Sequence, residues 1–282
     1  MPEKVPAAPA ADIAAQAAPP TDAAPAAAVR QYGEVAPIYD ALMAGVPHAE
    51  WLRRIEQAVR ERGKAPRSVL DVACGTGLAS EWLVEHGYAP VVGVDLSASM
   101  IAVARTKALA RGWEPSRLRY VCQDAAALDL DGPRFDLAVS LFDSLNYILD
   151  PHALRQALRR VFAHLTPGGV FAFDLNAMYA LSHDLFTQTG TYGPVHHVWK
   201  AYWDQATRIC RVEMNFWVRD PAQEGGGRFF TETHLQRAYT VTEITDWLAE
   251  VGFVNVDVFG NYGKRPPGPK SDRLLFVTER PA

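Results

Sequence analysis

From Ser68 onward the chain alternates between short apolar runs and stretches whose apolar residues recur at helical spacing. Residues 68–73, 91–95, 118–122 and 135–142 each read as a strand, and the nearly unbroken hydrophobicity of 135–142 marks a strand buried on both faces. Between them, residues 78–86 form a helix closed by Gly87. Ser97 caps a second helix that runs to about residue 111 and is closed by Gly112. Pro151 opens a helix over 151–165, and Pro167-Gly168-Gly169 turns the chain into a strand at 170–175. Continuous apolar strands separated by helices predict a parallel sheet covered on both faces.

Two other textures flank this core. Upstream, Tyr32, Val35, Ile38, Tyr39 and Leu42 share a helical face interrupted by Pro37, and a helix over 51–62 ends at Gly63 and Pro66. Downstream, 197–203, 209–219 and 228–237 read as β segments. Their joins are Asp204-Gln205-Ala206-Thr207 and Gly225-Gly226-Gly227, which predicts a three-stranded antiparallel insertion. A helix at 242–251 and strands at 253–259 and 274–279 close the chain. The organisation expected is therefore a disordered Ala/Pro-rich tail (1–28), an N-terminal helical lid (29–66), an α/β core (67–194), an antiparallel cap (195–237) and the end of the core (238–282). The tail carries acids and has no long apolar stretch, unlike a secretion or transit signal.

Composition narrows the classes of function. A chain of 282 residues, 49% hydrophobic, can bury one sizeable core. A net charge of -4 argues against nucleic acid as the main partner. Cys74, Cys122 and Cys210 are scattered, which offers no metal framework and suits a reducing cytoplasm. No apolar run reaches the roughly 20 residues of a membrane span. No nucleic acid and no membrane are the expectations that follow for partners, with a monomer or homodimer as the expected state.

The chemistry concentrates in Val69-Leu70-Asp71-Val72-Ala73-Cys74-Gly75-Thr76-Gly77 and Val91-Val92-Gly93-Val94-Asp95. Each apolar run ends in a carboxylate, and the first is followed by a glycine loop whose backbone can approach a ligand closely. Such a site lies at the carboxyl ends of parallel strands. Ser80 occupies the third position of a dinucleotide-type G-x-G-x-x-G, so the loop suits a pyrophosphate poorly and a cationic amino-acid group well.

The stretch 69–77 closely resembles the first motif of class I S-adenosylmethionine-dependent methyltransferases, and the resemblance extends from about Tyr32 to the C-terminus. It implies a doubly wound, seven-stranded, mostly parallel Rossmann-like sheet whose last strand is antiparallel. It further implies that Asp71, Ala73, Cys74 and the Gly75 and Gly77 backbone hold the methionine portion of the cofactor. Asp95 would accept from the ribose hydroxyls, with Leu96 and Met100 against adenine. Asp124 and Ala125 would meet the adenine amino group, and Phe142 would lie beside the methyl-transfer site. Tyr32 and Tyr39, in the lid segment, would fold over the cofactor.

The acceptor side is open to more readings. In 228–237, alternation puts Phe230, Glu232, His234 and Gln236 on one face. That face either meets water or lines a cavity with His234 as base. Asp143 and Asn146, just after the buried strand, either face the cleft or cap the next helix; Asp143 is the second candidate base. His196-His197 has no third ligand at metal spacing. The function expected is methyl transfer to nitrogen or oxygen of a small molecule, of the sugar-amine or glycine N-methyltransferase kind. A non-catalytic S-adenosylmethionine-binding regulator and a nicotinamide oxidoreductase are the alternatives.

Overall fold

The computed structural model describes residues 31–220 and 226–282. The tail expected at 1–28 and Gly225 of the glycine join lie outside the described residues. Two sheets make up the structure. The first has seven strands in the order β10-β11-β5-β4-β1-β2-β3. These are β1 Val69–Val72, β2 Val91–Asp95, β3 Leu118–Cys122, β4 Phe135–Ser140, β5 Leu165–Asn176, β10 Val254–Gly260 and β11 Arg273–Glu279. Strand β11 runs antiparallel between β5 and β10, whereas β1 to β5 are mutually parallel. The α/β sheet implied by the resemblance is thus present, and β5 starts before the Pro167-Gly168-Gly169 segment rather than after it.

All four residues of β1 are buried, and apolar clusters fill both faces of the sheet. Helices His48–Glu61, Leu78–Glu85 and Ala98–Ala110 carry buried residues of one cluster, and Pro151–His164 and Val241–Val251 those of the other. β1 pairs with β2 on one side and β4 on the other, so the crossovers change direction there and open a crevice at the carboxyl ends.

The insertion departs from expectation in one respect. It has four antiparallel strands: β6 Gln188–Tyr192, β7 Val195–Asp204, β8 Ile209–Arg219 and β9 Gly227–Arg237. The extra strand, Gln-Thr-Gly-Thr-Tyr, is mostly exposed at the sheet edge and lacks the apolar alternation that would mark it. Gly190 is required there: a Cβ would stand 2.7 Å from the His197 ring. The inner cap face buries Cys210, Val212, Met214, Phe216 and Phe230 against Val35 and Leu42 of the N-terminal segment. That segment is a turn, a short 3-10 helix (Ala36–Ile38) that contains Pro37, and a helical turn (Tyr39–Leu42). Among the described residues no helix is long and apolar enough to cross a membrane.

Candidate active site

The crevice is lined by the ends of β1, β2 and β4, the loop after β3, and the N-terminal segment. Its backbone is unusual. Ala73, Gly75 and Gly77 follow β1 with φ of 56°, 56° and 85°, and Phe142 and Asp143 follow β4 with φ of 61° and 52°. Three non-glycine residues in the left-handed region at two adjacent strand ends are strain concentrated where the ligand crevice lies. Gly77 answers a second demand as well, because a Cβ there would fall 2.1 Å from the Tyr120 hydroxyl.

Asp71, 2% exposed, accepts a hydrogen bond of 2.5 Å from Ser80 Oγ. Serine at the third glycine position therefore serves the carboxylate directly. Burial nevertheless pushes the Asp71 carboxyl up to about 7, against the Ser80 bond that lowers it. Asp95 accepts from Gly75 N–H (2.8 Å) on one oxygen and Ser97 N–H (2.8 Å) on the other, which ties the glycine loop to the end of β2. Burial raises this carboxyl also, opposed by those two backbone bonds. Two acids facing one crevice, Asp71 buried and Asp95 half-buried, favour a cationic occupant.

The crevice wall gathers most of the residues singled out from the sequence. Tyr32, Tyr39, Asp71, Ala73, Cys74 and Gly75 line it, as do Asp95, Leu96, Met100, Asp124, Ala125 and Phe142. Gly77 stands behind the wall and begins the helix Leu78–Glu85. Asp124 Oδ1 is taken up by Ala126 N–H at 2.8 Å, and burial pushes the Cys74 thiol well up, which keeps it protonated. Phe142 leans on His48 and Trp51, at ring centroid distances of 4.3 and 5.4 Å.

His234 and Asp143 sit one layer behind. His234 is 1% exposed and uses both ring nitrogens: Nε2 meets Glu232 Oε2 at 2.8 Å, and Nδ1 meets the Tyr147 hydroxyl at 3.2 Å. A carboxylate only accepts, so Nε2 carries a proton, and in the neutral ring Nδ1 is then free to accept from Tyr147. The Tyr32 hydroxyl donates in turn to that of Tyr147 at 2.7 Å. Tyr32 and Tyr147 both line the crevice, so they join His234 to it. Burial raises both phenols and keeps them as donors. Asp143 Oδ1 pairs with Arg273 (2.8 Å) and its Oδ2 accepts from Gln236 Nε2 (2.6 Å). Arg273 also pairs with the fully buried Asp174.

The face of β9 that holds Phe230, Glu232, His234 and Gln236 is buried, not solvated. Glu232 accepts from three backbone N–H groups of the N-terminal segment as well as from His234. Burial raises its carboxyl, but the His234 bond and those backbone groups outweigh this and leave it below its ordinary value. Asn146 is buried and binds backbone: its Nδ2 donates to Asn176 O and Arg237 O, and its Oδ1 accepts from Asn176 N–H. Tyr147, Glu232 and Arg273 were not singled out as site residues. The first two carried a signal, Tyr147 in the segment after β4 and Glu232 alternating with His234. Arg273 has no local signature, because its partner Asp143 is 130 positions away.

Comparison with known proteins agrees with this geometry. A methyltransferase-domain family model matches residues 69–169. A ubiquinone biosynthesis O-methyltransferase of Coxiella burnetii is 34% identical over 185 residues, covering 65% of this chain and 72% of its own. Among solved structures, an S-adenosylmethionine-dependent methyltransferase of Clostridium acetobutylicum superposes with a TM-score of 0.77 at 29% identity, covering 89% of this chain and 99% of its own. The sugar N-methyltransferase KedS8 of Streptoalloteichus gives 0.71 at 26%, covering 95% and 98%. With a doubly wound sheet, a glycine loop between two strand-end acids and these relatives, the chain belongs to the class I S-adenosylmethionine-dependent methyltransferases.

Proposed function

We propose that this methyltransferase alkylates a nitrogen or oxygen of a small polar molecule, with an amino sugar as the leading class. The observation that carries the reading is the hydrogen-bond chain from Tyr32 through Tyr147 to His234 and Glu232, which connects the crevice to a buried imidazole. The likeness to a sugar N-methyltransferase over nearly the whole chain, cap included, supports it.

The residues fit the cofactor. Asp71, the backbone of 73–77 and the faces of Tyr32, Tyr39 and Phe142 suit the charged methionine end, because carboxylates and aromatic faces both favour cations. Asp95, Leu96, Met100, Asp124 and Ala125 suit the nucleoside. When bound, the cofactor supplies an electrophilic methyl group to the acceptor. The protein supplies alignment of the acceptor and exclusion of water.

The acceptor's N–H or O–H proton passes to Tyr32 Oη, the Tyr32 proton to Tyr147 Oη, and the Tyr147 proton to His234 Nδ1. Glu232 then stabilises the imidazolium through its bond to Nε2. Asp143, held by Arg273 and Gln236, acts by position, fixing the loop that carries Phe142.

Transfer of labelled methyl to a panel of amino and hydroxy sugars tests the reaction. His234→Ala should lower kcat by about 10²-fold or more while S-adenosylhomocysteine binds as before. Unchanged turnover at every pH would remove His234 from the mechanism. Failure to label any amine or hydroxyl acceptor would overturn the acceptor class.

A further inference from the structure

Glu232 does more than support His234. Its carboxylate, 7% exposed, accepts from Tyr32 N–H at 2.8 Å, Glu34 N–H at 2.7 Å and Val35 N–H at 3.0 Å. These donors lie about 200 positions away, in the turn that opens the N-terminal segment. The turn contains Tyr32, whose φ is 63°, and converging N–H groups in such a turn form an anion-binding concavity. His234 Nε2–H shares Oε2 with Tyr32 N–H, so the carboxylate cannot rotate without losing both bonds.

The other end of the segment is anchored to the core. Asp40 accepts from Lys107 Nζ at 2.6 Å and from the Thr76 hydroxyl of the glycine loop. Lys107 Nζ also meets Thr76 O at 3.1 Å and Glu81 at 3.4 Å. The segment therefore spans from the cap to the glycine loop, and Tyr32 and Tyr39 on it both line the crevice. Asp40 is partly exposed at 38%, so its ion pair is weakened by water. The Glu232 contact is buried and charge-assisted, and so is the stronger of the two polar anchors.

We infer that Glu232 is the latch that holds the N-terminal segment closed over the cofactor, a positioning residue on the cap that governs how tightly the methyl donor is retained. The inference rests on the cofactor occupying this crevice. It makes the acceptor-side cap a determinant of donor affinity, although Glu232 itself does not line the crevice.

The test is S-adenosylhomocysteine binding to the full-length protein by calorimetry and stopped-flow displacement. Glu232→Ala should raise Kd about 30-fold, chiefly through faster dissociation. Glu232→Gln keeps one acceptor oxygen for Glu34 and Val35 and should show a smaller rise of about tenfold. His234→Ala should lose turnover but keep its affinity within about threefold, which separates the latch from the proton path. Thr240→Ala, on a helix cap away from the crevice, controls for general loss of stability. If Glu232→Ala does not fold, Glu232→Gln decides, read together with amide exchange at Tyr32, Glu34 and Val35; the ligand should slow that exchange in the wild-type protein and much less in the variant. Folded variants that bind and release the ligand like the wild type would overturn the latch alone. A wild-type protein that does not bind the ligand would overturn the occupancy of the crevice as well.

Discussion

At Asp71 two requirements meet in one carboxyl. It must be buried to form the end of a strand with no exposed residues, and it must be ionised to hold a cation. Burial wins in the free protein, where the group titrates at about 7 instead of 3.8. The sign of the pH effect follows. Between those two values the folded state keeps a proton that the unfolded chain has released, so Asp71 makes the free protein progressively less stable as pH rises from about 4 to about 7. The ammonium group of the ligand's amino-acid end favours the carboxylate, so S-adenosylhomocysteine affinity should increase roughly tenfold from pH 6 to pH 8. Asp71→Asn should remove that slope, and a flat profile in the wild-type protein would show that the acid is already ionised. Ser80 is the residue in which sequence and structure meet most directly. Its presence argued against a pyrophosphate loop, and its hydroxyl proves to be bonded to Asp71. His234 and its neighbour Glu232 were legible together on one face of β9, but the tyrosines were not, because Tyr32 and Tyr147 reach His234 from two distant segments.

Among the elements, the helix Val241–Val251 shows how the cap is joined to the core. Thr240 caps it in a reciprocal box with Glu243, and Arg208 from the β7–β8 turn grips both oxygens of Glu243 at 2.9 and 2.6 Å. That fork is the first cause of a Glu243 carboxyl lowered to about 2. Thr240→Ala should destabilise the protein by about 1 kcal/mol, seen as a lower urea midpoint with an unchanged slope. No change in midpoint would mean that Arg208 alone orders the first turn. The central strands of the large sheet, β4 and β5 above all, were readable because they are nearly continuous apolar runs. Strand β6 was not, since an edge strand of Thr and Gly takes its structure from β7 rather than from its own side chains.

Across the whole molecule, the large sheet and the antiparallel insertion share one crevice and one strap of chain, and the proposed function gives the donor to the first and the acceptor to the second. S-adenosylhomocysteine at about 100 times its Kd should therefore stabilise the protein by about 2.7 kcal/mol and raise Tm by about 5 °C. Reduced nicotinamide dinucleotide should have no effect, and an equal shift with it would contradict the reading of the glycine loop. The crevice order was legible from four strand ends taken in sequence. The closing strap was legible only in part, because its partner Glu232 comes from the far end of the insertion. Finally, the insertion leaves the large sheet at Asn176 and returns at Arg237, and the Asn146 side chain is bonded to the backbone of both. An excursion stitched at its base by one side chain behaves as a cassette. Divergence can rewrite some sixty residues above the stitch without disturbing the sheet below it, so long as each replacement brings its own counterpart of Glu232.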